Sequence, residues 1–594
     1  MDPIALAGIA AALAASALAL REARAGRSVR AAAWLALAAL LLRVPPAAHF
    51  SLERWDERYH ALVAKNALES PLPPMLVAQP LREPAPLDWQ HAHVWLHKPP
   101  LTTWLMAGAM KLAGRNEIAL RLPSLLLSSL GVFVTFALAR RFVSDRAALA
   151  AAAFQAWNGR AILLAAGLRA TDHVDTLMTF AIALGALQAV RACEALEASR
   201  PRAWLEVAGV GAVTAAALLV KDAPALIVPA FFGCLLLLRN VPWRVRLGAP
   251  ALAVGIALAL VSPWHIYTAQ NFPELAAVMR ERGALYFTTV VDERGGPWYF
   301  HFANLPRHFG VVAPIAVALF CARAFAPGGR VLLPLVAWLA LVYGAFTLAA
   351  TKMEAYVLIA SPAVFVALGW FVCDALGSGA SRGLRGARAL VSAGLVAGAA
   401  AGVLRAEHPL EPVERNPLWA QELRWLGGEL EKLPGPKRVV FGVAWPIECM
   451  FYAPATCIAG APSDADLARA EELGFSIAQY GPATDPRVTA IPFDPRTAPA
   501  RRLAGNLRAA GVERPLVYNA REVADLDEYL GRFIRHASVS GDLPEPGRRL
   551  DRKLAAGSTL VVLLAPGEST PDDLRSAFPD ALFIEDSHYG RPAR

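Results

Sequence analysis

The stretch that decides the fold is RVRLGAPALAVGIALALVSPWHIY, residues 244–267. Two arginines stand at its start and an unbroken apolar run follows. Trp264, His265 and Tyr267 close it. At 1.5 Å per helical residue, Leu247–Tyr267 spans ~30 Å of hydrocarbon. Arginine at one end and aromatic residues at the other match the two edges of a bilayer. Similar runs occur at Ile4–Leu20, Leu130–Leu138 with its flanks, Val207–Val220, Val331–Ala350 and Val357–Val372. Met1-Asp2-Pro3 lacks the basic start of a cleaved signal peptide, so the first run is expected to be a retained helix.

The 594 residues are 56% hydrophobic and 18% charged, against about 25% charged in a soluble protein. The net charge of +9 could suggest nucleic acid, but its distribution excludes that partner. Arginines cluster at 21–30, 140–146, 191–202, 239–246, 323–330 and 382–388, between alternate apolar runs. That is the bias of cytoplasmic loops. Counting between the clusters predicts about twelve spans, with both ends of the chain outside. The expected fold is mainly α: a polytopic helical membrane domain over 1–405 and a soluble extracytoplasmic α/β domain over 406–594.

Polar residues depart from this pattern on the outer side only. The five lysines of the membrane part, Lys65, Lys98, Lys111, Lys221 and Lys352, all fall there, against the charge bias. Asp56-Glu57 lies in a long outer loop, His49–Glu117, and Asp172 and Asp175 lie at another outer turn. Ionisable groups beside a membrane are functional candidates; the bland alternative is interfacial ion pairing. A second long outer loop, Thr268–Pro306, carries Arg280, Arg282, Arg294 and Trp298-Tyr299, with an amphipathic stretch at Phe272–Arg282. Carboxylates, cations and interfacial aromatics on one face suit a substrate with a lipid tail and an anionic phosphate.

Histidines 91, 93 and 97 are close in sequence and raise the possibility of a divalent metal, with His97 and His93 as ligands. Their spacing fits no tight motif, so a metal there is not expected to be catalytic. Cys449 and Cys457 are the only cysteines of the soluble part. They read either as a disulfide or as two buried thiols.

In order, the chain offers Trp55-Asp56-Glu57-Arg58-Tyr59-His60, then Lys98-Pro99-Pro100-Leu101, Asn116-Glu117-Ile118-Ala119-Leu120-Arg121, Thr171-Asp172, Lys221-Asp222-Ala223-Pro224, Gly296-Pro297-Trp298-Tyr299 and Lys352-Met353-Glu354-Ala355-Tyr356. This series resembles membrane-embedded glycosyltransferases that use polyprenyl-phosphate sugars: protein O-mannosyltransferases and the bacterial transferases that add aminoarabinose to lipid A. The resemblance covers most of 31–375. It implies transfer of a sugar from a lipid-phosphate donor to a lipid, protein or envelope-glycan acceptor at the outer face of the bacterial inner membrane, with inversion and no required cofactor. It also implies roles. Asp56 is the candidate base, supported by Glu57. Asp172 and Lys221 form a holding pair. Lys98, Arg58, Tyr59, Arg282, Arg294, Lys352 and Tyr356 are donor-phosphate candidates. In many relatives one spacer separates the acidic pair from Arg-Tyr; here Arg58 itself stands at the spacer, with Tyr59 and His60 in those positions. Two rivals are a transporter or flippase of a lipid-linked substrate and a non-catalytic receptor. The first predicts midplane charges and internal repeats; the second leaves the Asp56, Lys98, Asp172 and Lys221 set unused.

Strand-like runs at Arg438–Ala444, Pro515–Tyr518, Thr559–Leu564 and Ala581–Ile584 alternate with helix-like segments at Ala465–Leu473, Ala498–Ala510, Arg521–Ala537 and Pro571–Phe578. That is an α/β pattern. No phosphate-cradling glycine loop accompanies it.

Overall fold

A computed structural model describes residues 3–53, 55–83, 92–169, 172–375, 415–495, 507, 515–519, 537–540, 559–564 and 582–585. Two compact units emerge, one of residues 1–78 and 84–415 and one of 79–83 and 416–594. The expected boundary at 405/406, and the segments expected to be helical at 498–510, 521–537 and 571–578, fall wholly or mostly outside the described residues. So do Trp89 and His91.

The first unit is helical: α1 (Pro3–Arg24), α2 (Ser28–Ala47), α3 (Asp56–Ala67), α4 (Leu101–Ala113), α5 (Glu117–Ala139), α6 (Asp145–Ala156), α7 (Gly159–Ala165), α8 (Asp172–Glu197), α9 (Ala203–Lys221), α10 (Ile227–Leu237), α11 (Trp243–Asn271), α12 (Pro273–Thr288), α13 (Phe300–Ala303), α14 (Leu305–Phe309), α15 (Ala313–Phe325), α16 (Leu333–Leu348) and α17 (Ser361–Trp370). Among the described residues, eight helices are long and apolar enough to cross a membrane, or nine with a pair bent by 111° at Gly310 counted as one. This is an integral membrane protein.

The twelve spans expected are not all visible as continuous helices, for an identifiable reason. The run from Asp145 to Ala165 breaks at Trp157-Asn158 into α6 and α7, each too short to cross alone. Asn158 starts α7 by accepting the Ala161 amide at 2.9 Å. Arg43, fully buried on α2, takes the carbonyls of Gln155 (3.2 Å) and Ala156 (3.0 Å) at the end of α6. A broken helix is tolerated in a bilayer only where its freed backbone groups find such partners. The helix Ala223–Leu237 is likewise short.

Small residues set the packing, as in membrane bundles. A Cβ at Gly369 of α17 would stand 2.2 Å from the carbonyl oxygen of Ala147 on α6. Four of the arginine-rich segments are tied to their neighbours by polar contacts. Ser28 donates to Asp145 (2.6 Å), which also takes Arg140 (3.3 Å). Arg141 binds Glu194 (2.5 Å), Arg239 binds Glu197 (3.1 Å), and Ser144 donates to Asp374 (2.5 Å).

The second unit holds two four-stranded parallel sheets. The first contains β1 (Arg438–Phe441), β2 (Thr456–Ile458), β3 (Ser476–Tyr480) and β4 (Thr489–Ile491), in the order β2-β1-β3-β4. The second contains β5 (Pro515–Asn519), β6 (Ala537–Ser540), β7 (Thr559–Leu564) and β8 (Leu582–Glu585), in the order β6-β5-β7-β8. The two orders are the same when counted from each sheet's first strand. Helices Pro446–Tyr452 and Asp464–Glu472 connect β1 to β2 and β2 to β3, as parallel pairing requires. Five residues of the first long loop belong here. Leu81 is buried with Val439, Phe441 and Leu467, and Arg82 makes a fork to Asp466 at 2.8 and 2.9 Å. Cys449 and Cys457 are joined by a disulfide between the helix Pro446–Tyr452 and β2.

Candidate functional site

Asp56 opens α3, where an acid faces the positive end of the helix dipole. Its neighbour Glu57 has a different fate. Glu57 is fully buried, and Arg121 of α5 grips both its oxygens at 2.7 and 2.9 Å. His173 adds a contact at 3.0 Å and the Glu53 amide another at 2.7 Å. Arg121 also binds the carbonyls of Ala47, His49 and Ser51. Gly167 leaves the necessary space, since a Cβ there would stand 2.4 Å from the Glu57 carboxylate. Burial alone would raise the Glu57 carboxyl, but the guanidinium and the histidine outweigh it and hold it well below the usual carboxylate range. Glu57 is thus an anchor that fixes the start of α3.

A cavity of about 560 Å³ opens beside Asp56. Trp55, Asp56, His97, Lys98, Asp175, Lys221, Asp222, His265, Arg280, Arg282 and Tyr356 are among its lining residues, with apolar walls from Trp264, Met279, Phe287 and Phe346. That composition, mostly apolar with converging polar groups, is typical of a ligand site. The stretch Phe272–Arg282 forms part of the helix α12, which supplies Arg280 and Arg282.

Which of these charges are already satisfied is decisive. Lys221 is bonded to Asp175; the holding pair expected of Lys221 with Asp172 involves a side chain outside the described residues. Asp175 lies one turn further into α8, where its carboxylate reaches the end of α9. The Lys221 ammonium also sits 5.7 Å from the Tyr356 ring centroid. Lys98, Asp56, Asp222, Arg280 and Arg282, by contrast, have no hydrogen bond or ion pair among the described residues. Three unpaired cations in a half-enclosed cavity call for an anion.

Burial and the nearby Lys221 push the Lys98 ammonium below its ordinary value. Burial, aided by Lys98, pushes His97 well below 6.5 and keeps it neutral at pH 7. An anion binding at Lys98 needs the charged amine. Affinity is therefore full below the lysine pKa and falls as pH rises through it, earlier than the ~10.4 of a free lysine. A lipid-phosphate sugar is a phosphodiester of fixed charge, so the alkaline loss belongs to the protein. Equilibrium binding of a polyprenyl phosphodiester from pH 7 to 11 should show this limb, and Lys98→Arg should move it upward; an unmoved limb would remove Lys98 from the anion site.

Other residues singled out in the sequence lie elsewhere. The Lys352 ammonium is spent on the carbonyls of Phe346 (3.2 Å), Thr347 (2.6 Å) and Ala349 (2.6 Å). It caps the C-terminal end of α16 and does not line the cavity. Arg58 lies against the Tyr59 ring, 4.8 Å from its centroid, and bonds its hydroxyl at 3.0 Å; neither residue lines the cavity. Arg294 lies over the lining residue Trp55 at 5.2 Å. Lys65 and Lys111 do not line the cavity. The side chain of Asp172 is outside the described residues. Among the described residues no three His, Cys, Asp or Glu side chains converge as a metal cluster. His93 is not a cavity residue, and its carbonyl receives the amides of Leu76 (2.7 Å) and Val77 (3.3 Å). Sequence reading placed none of Arg121, His173, Asp222 and His265 in the donor site. A buried Arg–Glu pair leaves no local signal when its members are 64 positions apart.

Residues 97–267, which carry Lys98, Asp175, Lys221, Asp222 and His265, match the family model described as dolichyl-phosphate-mannose-protein mannosyltransferase. The undecaprenyl phosphate-alpha-4-amino-4-deoxy-L-arabinose arabinosyl transferase of Pseudomonas aeruginosa strain PAO1 is 27% identical over 341 residues, 55% of this chain and 60% of that protein. The protein of the same description from Pseudomonas paraeruginosa is 29% identical over 184 residues, 30% of this chain and 32% of its own length. The chain resembles these transferases over the matched part of its length. Its fold is similar to that of a solved structure. ArnT from Cupriavidus metallidurans, bound to undecaprenyl phosphate, superposes with a TM-score of 0.52 at 16% identity, over 77% of this chain and 88% of that one. The P. aeruginosa match spans only 60% of its relative's length.

Proposed function

We propose that this protein transfers a glycosyl group from a polyprenyl-phosphate donor to an acceptor hydroxyl on a lipid, protein or envelope glycan. The observation that carries the reading is one cavity with Asp56, Lys98, Arg280 and Arg282 all unpaired among the described residues. The acceptor oxygen attacks the anomeric carbon from the face opposite the phosphate, inverting it. Its proton passes to Asp56. As the new C–O bond forms, the bond from the anomeric carbon to the phosphate oxygen breaks and its electron pair leaves with the lipid phosphate. Lys98, Arg280 and Arg282 stabilise that departing anion. The Asp175–Lys221 pair and the Tyr356 ring form the wall against which the sugar is held. No cofactor is needed in this scheme.

The names of the matched relatives support a polyprenyl-phosphate donor, and the Pseudomonas proteins support a bacterial inner membrane. The second unit is assigned to the extracytoplasmic side. Support comes from the arginine bias of the opposite loops and from residues 79–83, which come from the loop carrying Asp56 and Lys98.

The test uses purified protein with radiolabelled polyprenyl-phosphate hexose or pentose donors and an envelope extract as acceptor source. Lys98→Ala should weaken donor affinity by roughly 10–100-fold, the value of a charged hydrogen bond. Donor consumption equal to wild type in Lys98→Ala would sink the assignment.

A further inference from the structure

Among the described residues, four non-glycine positions have positive φ: Ser199, Asp222, Asp292 and Glu293. Two of them, Asp222 and Asp292, line the cavity. Asp222 is the more demanding case, at φ 38° and ψ −130°, a region in which a Cβ is crowded and glycine is at ease. The turn does not require an acid. Its backbone amide bonds the Leu218 carbonyl at 3.1 Å to end α9, and its carbonyl takes the Ala225 amide at 3.0 Å. A glycine would make both bonds without the steric cost.

The side chain that imposes this cost has no partner in the protein among the described residues. The carboxylate lines the cavity, with His265 and Lys98 as the nearest charged or titratable influences. Burial pushes its pKa up against the lowering effect of those two groups. A strained residue whose carboxylate lines a substrate cavity with no protein partner among the described residues is suited to contact a ligand.

We propose that Asp222 is a substrate-contacting specificity residue, whose carboxylate accepts hydrogen bonds from polar ring substituents, hydroxyl or amino, of the transferred sugar. This rests on the transfer reading of the cavity. It gives the cavity a division of labour: Lys98, Arg280 and Arg282 take the phosphate, Asp56 takes the proton, and Asp222 recognises the sugar. The source of the hydrogen-bond donor separates by charge. Asparagine keeps an acceptor oxygen and satisfies a hydroxyl, but it cannot balance a sugar ammonium.

The full-length protein in lipid nanodiscs tests this with three readouts: Tm, kcat/KM for polyprenyl-phosphate hexose and polyprenyl-phosphate amino-sugar donors, and affinity for polyprenyl phosphate without a sugar. Asp222→Gly should raise Tm by roughly 1–3 °C through strain relief. It should lower kcat/KM by about 10-fold or more and leave sugar-free lipid phosphate binding at the wild-type level. Asp222→Asn should lose less than glycine on the hydroxyl sugar and as much as glycine on the amino sugar. Wild-type kcat/KM in Asp222→Gly overturns the proposal, as does equal loss of sugar-free lipid binding. A fall in Tm together with kcat/KM makes Asp222 a structural residue and also overturns it. Failure of the wild-type protein to consume any donor is a different outcome, which removes the transfer reading and this inference with it.

Discussion

Asp56→Asn should lower turnover by roughly 10²–10⁴-fold, the usual contribution of a positioned general base, while donor affinity stays near wild type. The amide is nearly isosteric, so α3 keeps its start, and Glu57 still anchors it through Arg121. The Asp56 carboxylate has no partner among the described residues, so no ion pair is broken and stability should not suffer. Single-turnover transfer alongside equilibrium donor binding separates the two effects. A parallel loss of affinity and rate would instead assign Asp56 to donor binding.

Arg121→Met should be the most destabilising single change near the site. The Arg121 and Glu57 side chains are both fully shielded from solvent. Removing the cation strands the carboxylate, together with three backbone carbonyls that Arg121 satisfies. Breaking one half of a buried pair costs about 3–5 kcal/mol. The double variant Glu57→Met, Arg121→Met should recover part of that loss, because no uncompensated charge remains. It should not recover activity, since α3 and Asp56 lose their fixed position. Thermal unfolding and transfer assays on Arg121→Met, Glu57→Met and the double variant form the cycle. Additive losses would mean that the two residues act independently, contrary to the structure.

The membrane architecture was legible in the sequence because hydrocarbon thickness imposes a length and arginine imposes a direction. Leu247–Tyr267 lies within α11. What escaped was discontinuity. The stretch from Asp145 to Ala165 is long enough for one span, yet Asn158 and Arg43 supply the partners that let it break. At the site, residue type was legible and partnership was not. Lys98, Lys221 and Lys352 look equivalent as outward lysines beside apolar runs. In three dimensions one is open to the cavity, one is bonded to Asp175 and one caps a helix. Asp56 and Glu57 are adjacent, yet a helical turn sends one to the cavity and the other to Arg121. In the soluble unit, Arg438–Phe441 and Thr559–Leu564 were readable strands. Thr456–Ile458 and Thr489–Ile491 were too short for periodicity to register.

The most direct test of the central claim is a high-resolution structure of the protein with a polyprenyl-phosphate sugar bound. The account predicts the phosphate within hydrogen-bonding distance of the Lys98 Nζ and an arginine of α12, with the anomeric carbon facing Asp56. A phosphate bound outside this cavity, with Lys98 and Asp56 still unoccupied, would contradict it.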